Sequence, residues 1–203
     1  SIIRWRFYSE KEKTDIKELK EKISVADVRR HSEGDFIVQI DNYFDVKGVG
    51  TVILGMVKRG TVSQYDKAML YPAKKEVAVK SIQCNDEDVK SAGAGSRVGL
   101  AMKGIEVDDL KRGFVISSSV LNVSQNIQMG FVANKYSKHE ISENKPVMCI
   151  VGLQAVSGKI KNVSPLSVEL DNKIAYEAGQ RCLVVSPEKM PRIAGSGAIT
   201  ASL

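Results

Sequence analysis

The chain has 203 residues, 43% of them hydrophobic, which is enough to bury one large or two small cores. Its net charge of +6 favours an anionic partner, but the excess lies near the two ends, and residues 33–118 carry equal numbers of basic and acidic side chains. Without a long basic tail, any contact with a nucleic acid would use small local clusters. No apolar run is long enough to cross a membrane and no segment fits a signal peptide, so we expect a cytoplasmic protein with no membrane partner.

Cysteine and histidine are too few and too scattered to build a metal or nucleophilic site. Cys84, Cys149 and Cys182 each lie in an apolar, strand-like run, which is typical of buried thiols in a reducing compartment. His31 and His139 have no carboxylate or thiol at ligand spacing. We therefore predict no metal site and no catalytic residue.

The first 32 residues predict a strand followed by a helix. Residues 2–8 form a short apolar strand candidate, and apolar side chains within residues 16–23 recur at the spacing of a one-sided helix. Residues 24–34 are rich in charge and end in glycine, so they predict a linker. Since the sequence does not begin with methionine, we expect that it was cut from a longer chain.

From about residue 35 the pattern becomes all β. Residues 50–58 predict a largely buried strand, because nearly every position is β-branched, aliphatic or glycine. The strands expected in this unit are residues 36–43, 50–58, 68–71, 76–84, 97–103 and 113–117. The apolar parity reverses between Val79 and Ile82, so a bulge is predicted near Ser81.

The pattern restarts near residue 121 as a second β unit. Its expected strands are residues 127–133, 147–152, 155–161, 166–170, 181–185 and 193–200. Prolines fall at or beside the proposed strand ends, where a missing N–H does least harm. The predicted domains are a piece at residues 1–32, one antiparallel β-barrel at 33–119 and a second at 120–203, so the fold class is all-β with a short strand-helix piece in front.

Two glycine-rich segments of the first unit carry a specific spacing. The chain reads FDVKGVGTVILGMVKRGTV over residues 44–62 and AGAGSRVGLAMKGIEVDDLKRGFVIS over residues 92–117. This resembles the second domain of translational GTPases of the elongation factor Tu and selenocysteine-specific elongation factor type. In that family a G-x-G-T-V-x-x-G strand precedes x-R-G, then A-G-x-x-V-G-L-x-x-x-G and R-G-x-V. Agreement over two separated segments is specific, whereas GxG alone would be weak.

The resemblance implies that the chain holds the second and third domains of such a factor. Residues 122–203 resemble the third domain in size, strand rhythm and the closing residues 191–197. Residues 1–32 resemble the last strand and helix of a GTP-binding domain. No G-x-x-x-x-G-K-[ST] motif occurs, so we expect no enzyme activity and no cofactor in this chain. GTP and Mg²⁺ are expected only for the missing GTP-binding domain, which would be a partner.

Through the resemblance we identify four candidate tRNA-binding residues, Arg59, Gln83, Lys111 and Arg112. Gln83 stands where the family has a glutamate that meets the terminal adenosine of aminoacyl-tRNA, and an amide keeps the hydrogen-bonding ability without the charge. Arg112 matches an arginine that contacts the 5′ end of the tRNA, and a guanidinium can hold a phosphate bidentately. The alternative for Arg112 is an ion pair with Asp108 or Asp109 across the turn.

The function implied by the resemblance is to bind aminoacyl-tRNA and deliver it to the ribosome. The mechanism would be binding alone. A surface near Arg59 and Gln83 would receive the 3′ end, and the Lys111–Arg112 pair would receive phosphate. Two alternatives stay open. One is a protein-interaction scaffold in a factor that no longer binds tRNA, and the other is a truncated enzyme whose GTPase chemistry lies entirely in the missing part.

Overall fold

The structure is a computed structural model that describes residues 20, 21, 23–25, 33–137, 141–187, 190 and 192–202. The chain divides into two units, Ser1–Arg30 and His31–Leu203. The helical residues described in the first unit are Lys20, Glu21, Ile23 and Ser24. The strand predicted at residues 2–8, and most of the predicted helix and linker, lie outside the described residues. No helix in the described part of the chain is long and apolar enough to span a lipid bilayer.

The first β-barrel runs from β1 to β9 in the second unit. Its strands are β1 (Ile37–Val46), β2 (Gly50–Arg59), β3 (Thr61–Ser63), β4 (Lys67–Tyr71), β5 (Lys75–Cys84), β6 (Glu87–Val89), β7 (Ser91–Gly93), β8 (Arg97–Lys103) and β9 (Val115–Ser117). An antiparallel barrel forms in the order β4-β9-β1-β2-β8-β5 and closes where β5 pairs with β4. β6 extends the edge beside β5, and β3 pairs with β7. A short 3-10 helix, Val107–Asp109, precedes β9.

Aliphatic side chains fill the interior of this barrel. Fully buried members are Val38, Ile40, Ile53, Leu70, Ile82, Leu100 and Ile116. Burial alternates along β2 with the period of two that a pleated strand imposes, so Ile53 and Val57 face the core and Met56 faces outwards. The register of β5 against β8 shifts between Val79 and Ser81, which confirms the predicted bulge.

The second β-barrel follows directly. Its strands are β10 (Asn122–Ala133), β11 (Pro146–Val151), β12 (Gln154–Val163), β13 (Leu166–Tyr176), β14 (Arg181–Val185) and β15 (Ile193–Ser202). They close in the order β10-β13-β12-β11-β14-β15. β10 begins at Asn122 rather than residue 127, and β13 continues to Tyr176 rather than ending at residue 170. Over the described residues, the predicted fold class of two antiparallel β-barrels is confirmed.

The cysteines are free thiols, and the second barrel buries two of them. Cys149 and Cys182 lie in its core, whereas Cys84 on β5 is half-buried. Contact with the Cys182 thiol, together with burial, raises the pKa of Cys149. The thiol of Cys149 therefore stays protonated at neutral pH and acts as a small apolar side chain.

A shared apolar cluster joins the two barrels. Ile37, Tyr71 and Val115 of the first barrel are buried together with Leu121, which precedes β10, and Ala175 of β13. Fully burying a Val, Leu or Ile side chain contributes roughly 1.5–3 kcal/mol to stability. The two barrels are thus packed on each other and not merely tethered.

The hairpin between β11 and β12 approaches the first barrel so closely that glycine is required on both sides. Gly113 has φ +91°, and a Cβ there would lie 2.5 Å from the carbonyl oxygen of Leu153. Across the same contact, a Cβ on Gly152 would collide with the side-chain amide of Gln39. These contacts place the turn before β9, which carries Lys111 and Arg112, against the second barrel.

Candidate nucleic-acid interface

Arg59 ends β2 at the junction of the two barrels. Its guanidinium donates to Glu177 Oε1 at 2.5 Å, to the Asp35 carbonyl oxygen at 3.2 Å and to Ser119 Oγ at 3.4 Å. It therefore links the first barrel, the connection between the barrels and the second barrel. The side chain is 34% exposed. A ligand would have to displace Glu177 to gain the full hydrogen-bonding capacity of Arg59.

Gln83 lies on the outer face of β5, where its neighbour on β8 is a glycine. Its Nε2 donates to Asp88 Oδ1 on β6 at 2.9 Å. A Cβ added to Gly99 would lie 3.5 Å from Leu54 and 3.8 Å from the Cβ of Gln83. The missing side chain leaves a shallow floor between Leu54 and Gln83. This floor is open to solvent and has an amide at one edge.

Arg112 occupies a turn whose backbone is fixed to β1. The Gly113 amide donates to the Ile40 carbonyl at 2.8 Å, and the Ile40 amide donates to the Phe114 carbonyl at 2.9 Å. The Arg112 guanidinium is 68% exposed and contacts Asp41 Oδ1 at 3.0 Å through Nη2 and 3.1 Å through Nε. The backbone thus holds Arg112 in place while its side chain remains largely in solvent.

The ion pair of Arg112 is not the one considered from the sequence. Arg112 pairs with Asp41 on β1, and neither Asp108 nor Asp109 is its partner among the contacts described. Asp109 instead accepts from Lys75 Nζ at 2.5 Å and from the Glu106 amide at 2.9 Å. These two hydrogen bonds lower the pKa of Asp109. The Asp109 carboxylate is therefore engaged by Lys75 and by the backbone at the start of the 3-10 helix.

A second arginine, which the sequence analysis did not single out, completes a cluster around Asp41. Arg97 Nη2 lies 3.5 Å from Asp41 Oδ2, and its side chain is 71% exposed. Lys58 lines the same cleft of about 290 Å³ as Asp41, Arg97 and Arg112. Two guanidinium groups therefore contact the Asp41 carboxylate, and a third cation, Lys58, lines the same cleft. We call these four residues the Asp41 cluster.

Lys111 and Arg112 also line a cleft between the barrels. This cleft has a volume of about 530 Å³. Phe114 contributes to its wall on the first-barrel side, and Asp171 and Lys173 contribute on the second-barrel side. Because Arg112 lines both clefts, the Asp41 cluster and the inter-barrel cleft adjoin each other.

The four candidate tRNA-binding residues thus lie in two separate regions of the protein surface. Gln83 pairs with Gly99 across the sheet, and Arg97 lies two residues from Gly99 on the same face of β8. Through Arg97, the surface beside Gln83 leads to Arg112. Arg59 lies instead five residues along β2 from Leu54, about 17 Å away at the rise of a strand. The structure brings Gln83, Lys111 and Arg112 onto connected surface and places Arg59 at the barrel junction.

Comparisons with known proteins agree with this architecture. The family described as elongation factor Tu domain 2 matches residues 50–117. An uncharacterized protein of Methanocaldococcus jannaschii is 38% identical over 185 residues, which cover 90% of this chain and 60% of that protein. The selenocysteine-specific elongation factor of the same organism is 29% identical over 212 residues, covering 90% of this chain and 45% of that factor.

A solved structure shows the same arrangement of barrels. The apo form of translation elongation factor SelB from Methanococcus maripaludis is similar with a TM-score of 0.82 and 26% identity, over 95% of this chain and 48% of that one. The chain thus spans roughly half the length of the relatives it matches. It contains an elongation factor Tu domain 2-type region, and across domain 2-like and domain 3-like barrels it is related to elongation factor Tu and the archaeal selenocysteine-specific elongation factors.

Proposed function

We propose that the two barrels bind the acceptor end of an aminoacyl-tRNA as part of a cytoplasmic translation factor that delivers it to the ribosome. The observation that carries this proposal is the position of Arg112. Its guanidinium projects from a turn fixed by backbone hydrogen bonds, shares the Asp41 carboxylate with Arg97 and lines the inter-barrel cleft. A preorganised, exposed guanidinium suits bidentate binding of phosphate.

The 3′ end of the tRNA would lie on the floor between Gln83 and Leu54. Single-stranded RNA ends are recognised by packing of an unstacked base and by hydrogen bonds to its edge. Gly99 provides the open floor, and Gln83 provides an amide that both donates and accepts. Lys111 and Arg112 would contact the sugar-phosphate backbone.

We assign GTP binding to a domain outside this chain. A structure of the Methanococcus maripaludis SelB holds the GTP analogue GPPNHP. The sequence carries no G-x-x-x-x-G-K-[ST] motif to hold the phosphates of such a ligand. This chain would therefore act on RNA without a nucleotide of its own.

Replacing Arg112 with alanine should weaken tRNA binding about tenfold and lower the slope of log affinity against log salt by about one. The melting temperature should change little, since an exposed ion pair contributes at most about 1 kcal/mol. Arg112→Lys should give an intermediate affinity, because an ammonium cannot bind a phosphate bidentately. Filter binding over a salt series and thermal unfolding supply the measurements.

The matched control is Lys47→Ala. Lys47 is exposed in the turn between β1 and β2, and its loss removes the same charge. This control should leave both affinity and salt slope nearly unchanged. If Arg112→Ala leaves the tRNA affinity intact and lowers the melting temperature, Arg112 has a structural role and the position proposed for the tRNA is wrong.

A further inference from the structure

The Asp41 carboxylate lies between two guanidinium groups. It lies 3.0 Å from Arg112 Nη2 and 3.5 Å from Arg97 Nη2, and it uses a different oxygen for each. The register of β1 against β2 shifts between Ile40 and Asn42, so Asp41 sits at an irregularity of the strand. Carboxylates and phosphates offer arginine the same pair of acceptor oxygens.

The fold does not depend on this carboxylate. The turn that carries Arg112 is held by the two backbone hydrogen bonds to Ile40, and Arg97 is held by the pairing of β8 with β2. Asp41 is 38% exposed, and exposed ion pairs contribute little to stability. Its main effect is therefore electrostatic. It offsets one of three neighbouring positive charges, those of Lys58, Arg97 and Arg112.

We propose that Arg97, Arg112 and Lys58 form one phosphate subsite. In the absence of phosphate, the Asp41 carboxylate binds the two arginines and so competes with a phosphate for them. A phosphate of a bound RNA displaces the carboxylate from the two arginines. This inference rests on the proposed function in taking RNA as the ligand. It adds Arg97 and Lys58 to the site and assigns Asp41 a role in specificity.

Competition of this kind favours an RNA that is already held elsewhere on the protein. A free phosphate exchanges one anion for another at the arginines and gains little affinity. A phosphate attached to a docked RNA has a high effective concentration at the site and displaces the carboxylate. Asp41 thereby discriminates against polyanions that touch only this cluster, because specificity is a difference between two affinities.

The test is Asp41→Asn, with Asp45→Asn as the matched control. Asp45 is exposed on the same strand and lines a different cleft, so its replacement removes the same charge at a distance from the arginines. Inorganic phosphate is titrated into each protein while the Nε–H signals of Arg97 and Arg112 are followed by NMR. Asp41→Asn should tighten phosphate binding about fivefold or more, and Asp45→Asn less than twofold. Adding Arg97→Ala to Asp41→Asn should remove the gain.

Unchanged or weaker phosphate binding by Asp41→Asn would overturn the proposal and make Asp41 a positioning residue for the arginines. An equal gain from Asp45→Asn would also overturn it, since the effect would then be one of net charge. If Asp41→Asn gains phosphate affinity while no form of the protein binds tRNA, the subsite stands and the proposed function fails. Hairpin RNAs with a 5′-phosphate or a 5′-hydroxyl, titrated in the same way, distinguish a terminal phosphate from an internal one.

Discussion

Replacement of Gly113 with alanine is expected to lower the free energy of unfolding by about 3 kcal/mol. The residue has φ +91°, and a non-glycine residue held in such a conformation costs roughly 1–3 kcal/mol. The new Cβ would also lie 2.5 Å from the Leu153 carbonyl oxygen and 2.6 Å from the Gln154 nitrogen, both backbone atoms that cannot rotate away. Overpacking of this kind adds about 1–3 kcal/mol. Urea unfolding followed by circular dichroism measures the change.

Gly48→Ala is the matched control for this prediction. Gly48 has φ +83°, and a Cβ there would meet nothing within 4 Å, so only the backbone cost remains. We expect a loss of about 1 kcal/mol.

Because Leu153 and Gln154 belong to the second barrel, Gly113→Ala should also separate the unfolding transitions of the two barrels. Equal losses from both variants, with a single transition, would contradict the packing described between the barrels.

Gln154→Leu should destabilise the protein by about 3 kcal/mol. Gln154 is 4% exposed at the start of β12. Its Nε2 donates to the Ala175 carbonyl at 2.7 Å, and its Oε1 accepts from the Ala175 amide at 2.8 Å. Leucine would leave both backbone groups of Ala175 buried without this partner, and each costs roughly 1–3 kcal/mol. Thermal and urea unfolding both report the loss.

Gln83→Leu is the matched control, since it makes the same change at an exposed position. The hydrogen bond from Gln83 to Asp88 is open to solvent, so its loss should change stability by less than about 0.5 kcal/mol. A similar effect from both variants would show that the Gln154 side chain is not buried between the strands as described.

The fold was largely predictable because the strands carry regular apolar patterns between turn residues. β8 and β14 begin and end at the predicted residues. β3, β6 and β7 were missed, since each is only three residues long. β3 and β7 form by pairing with each other across a distant part of the chain, and β6 folds back on β5 as a tight hairpin. The sequence also left open which face of β2 points into the core, because both faces carry apolar side chains. Thr51 is buried there because its hydroxyl donates to the Ile105 carbonyl at 3.1 Å.

The candidate site was predictable only where a motif marked it. Lys111 and Arg112 stand in or beside a glycine-bearing pattern, but Asp41, the partner of Arg112, lies 71 residues away and carries no local signal. Arg97 falls between matching positions and was missed, although its outward place two residues before Gly99 was a usable signal. For Arg59, the ion pair to Glu177 depends on how the barrels pack, which local sequence does not specify.

The claim that these barrels bind the acceptor end of tRNA is tested most directly by filter binding with one tRNA in its aminoacylated and deacylated forms. We expect saturable, salt-sensitive binding that is tighter for the aminoacylated form and unchanged by added GTP. Equal affinity for both forms would contradict recognition of the acceptor end. A complete lack of binding at low salt would contradict the tRNA function and favour a protein-interaction scaffold, and a GTP-dependent affinity would place a nucleotide site in this chain.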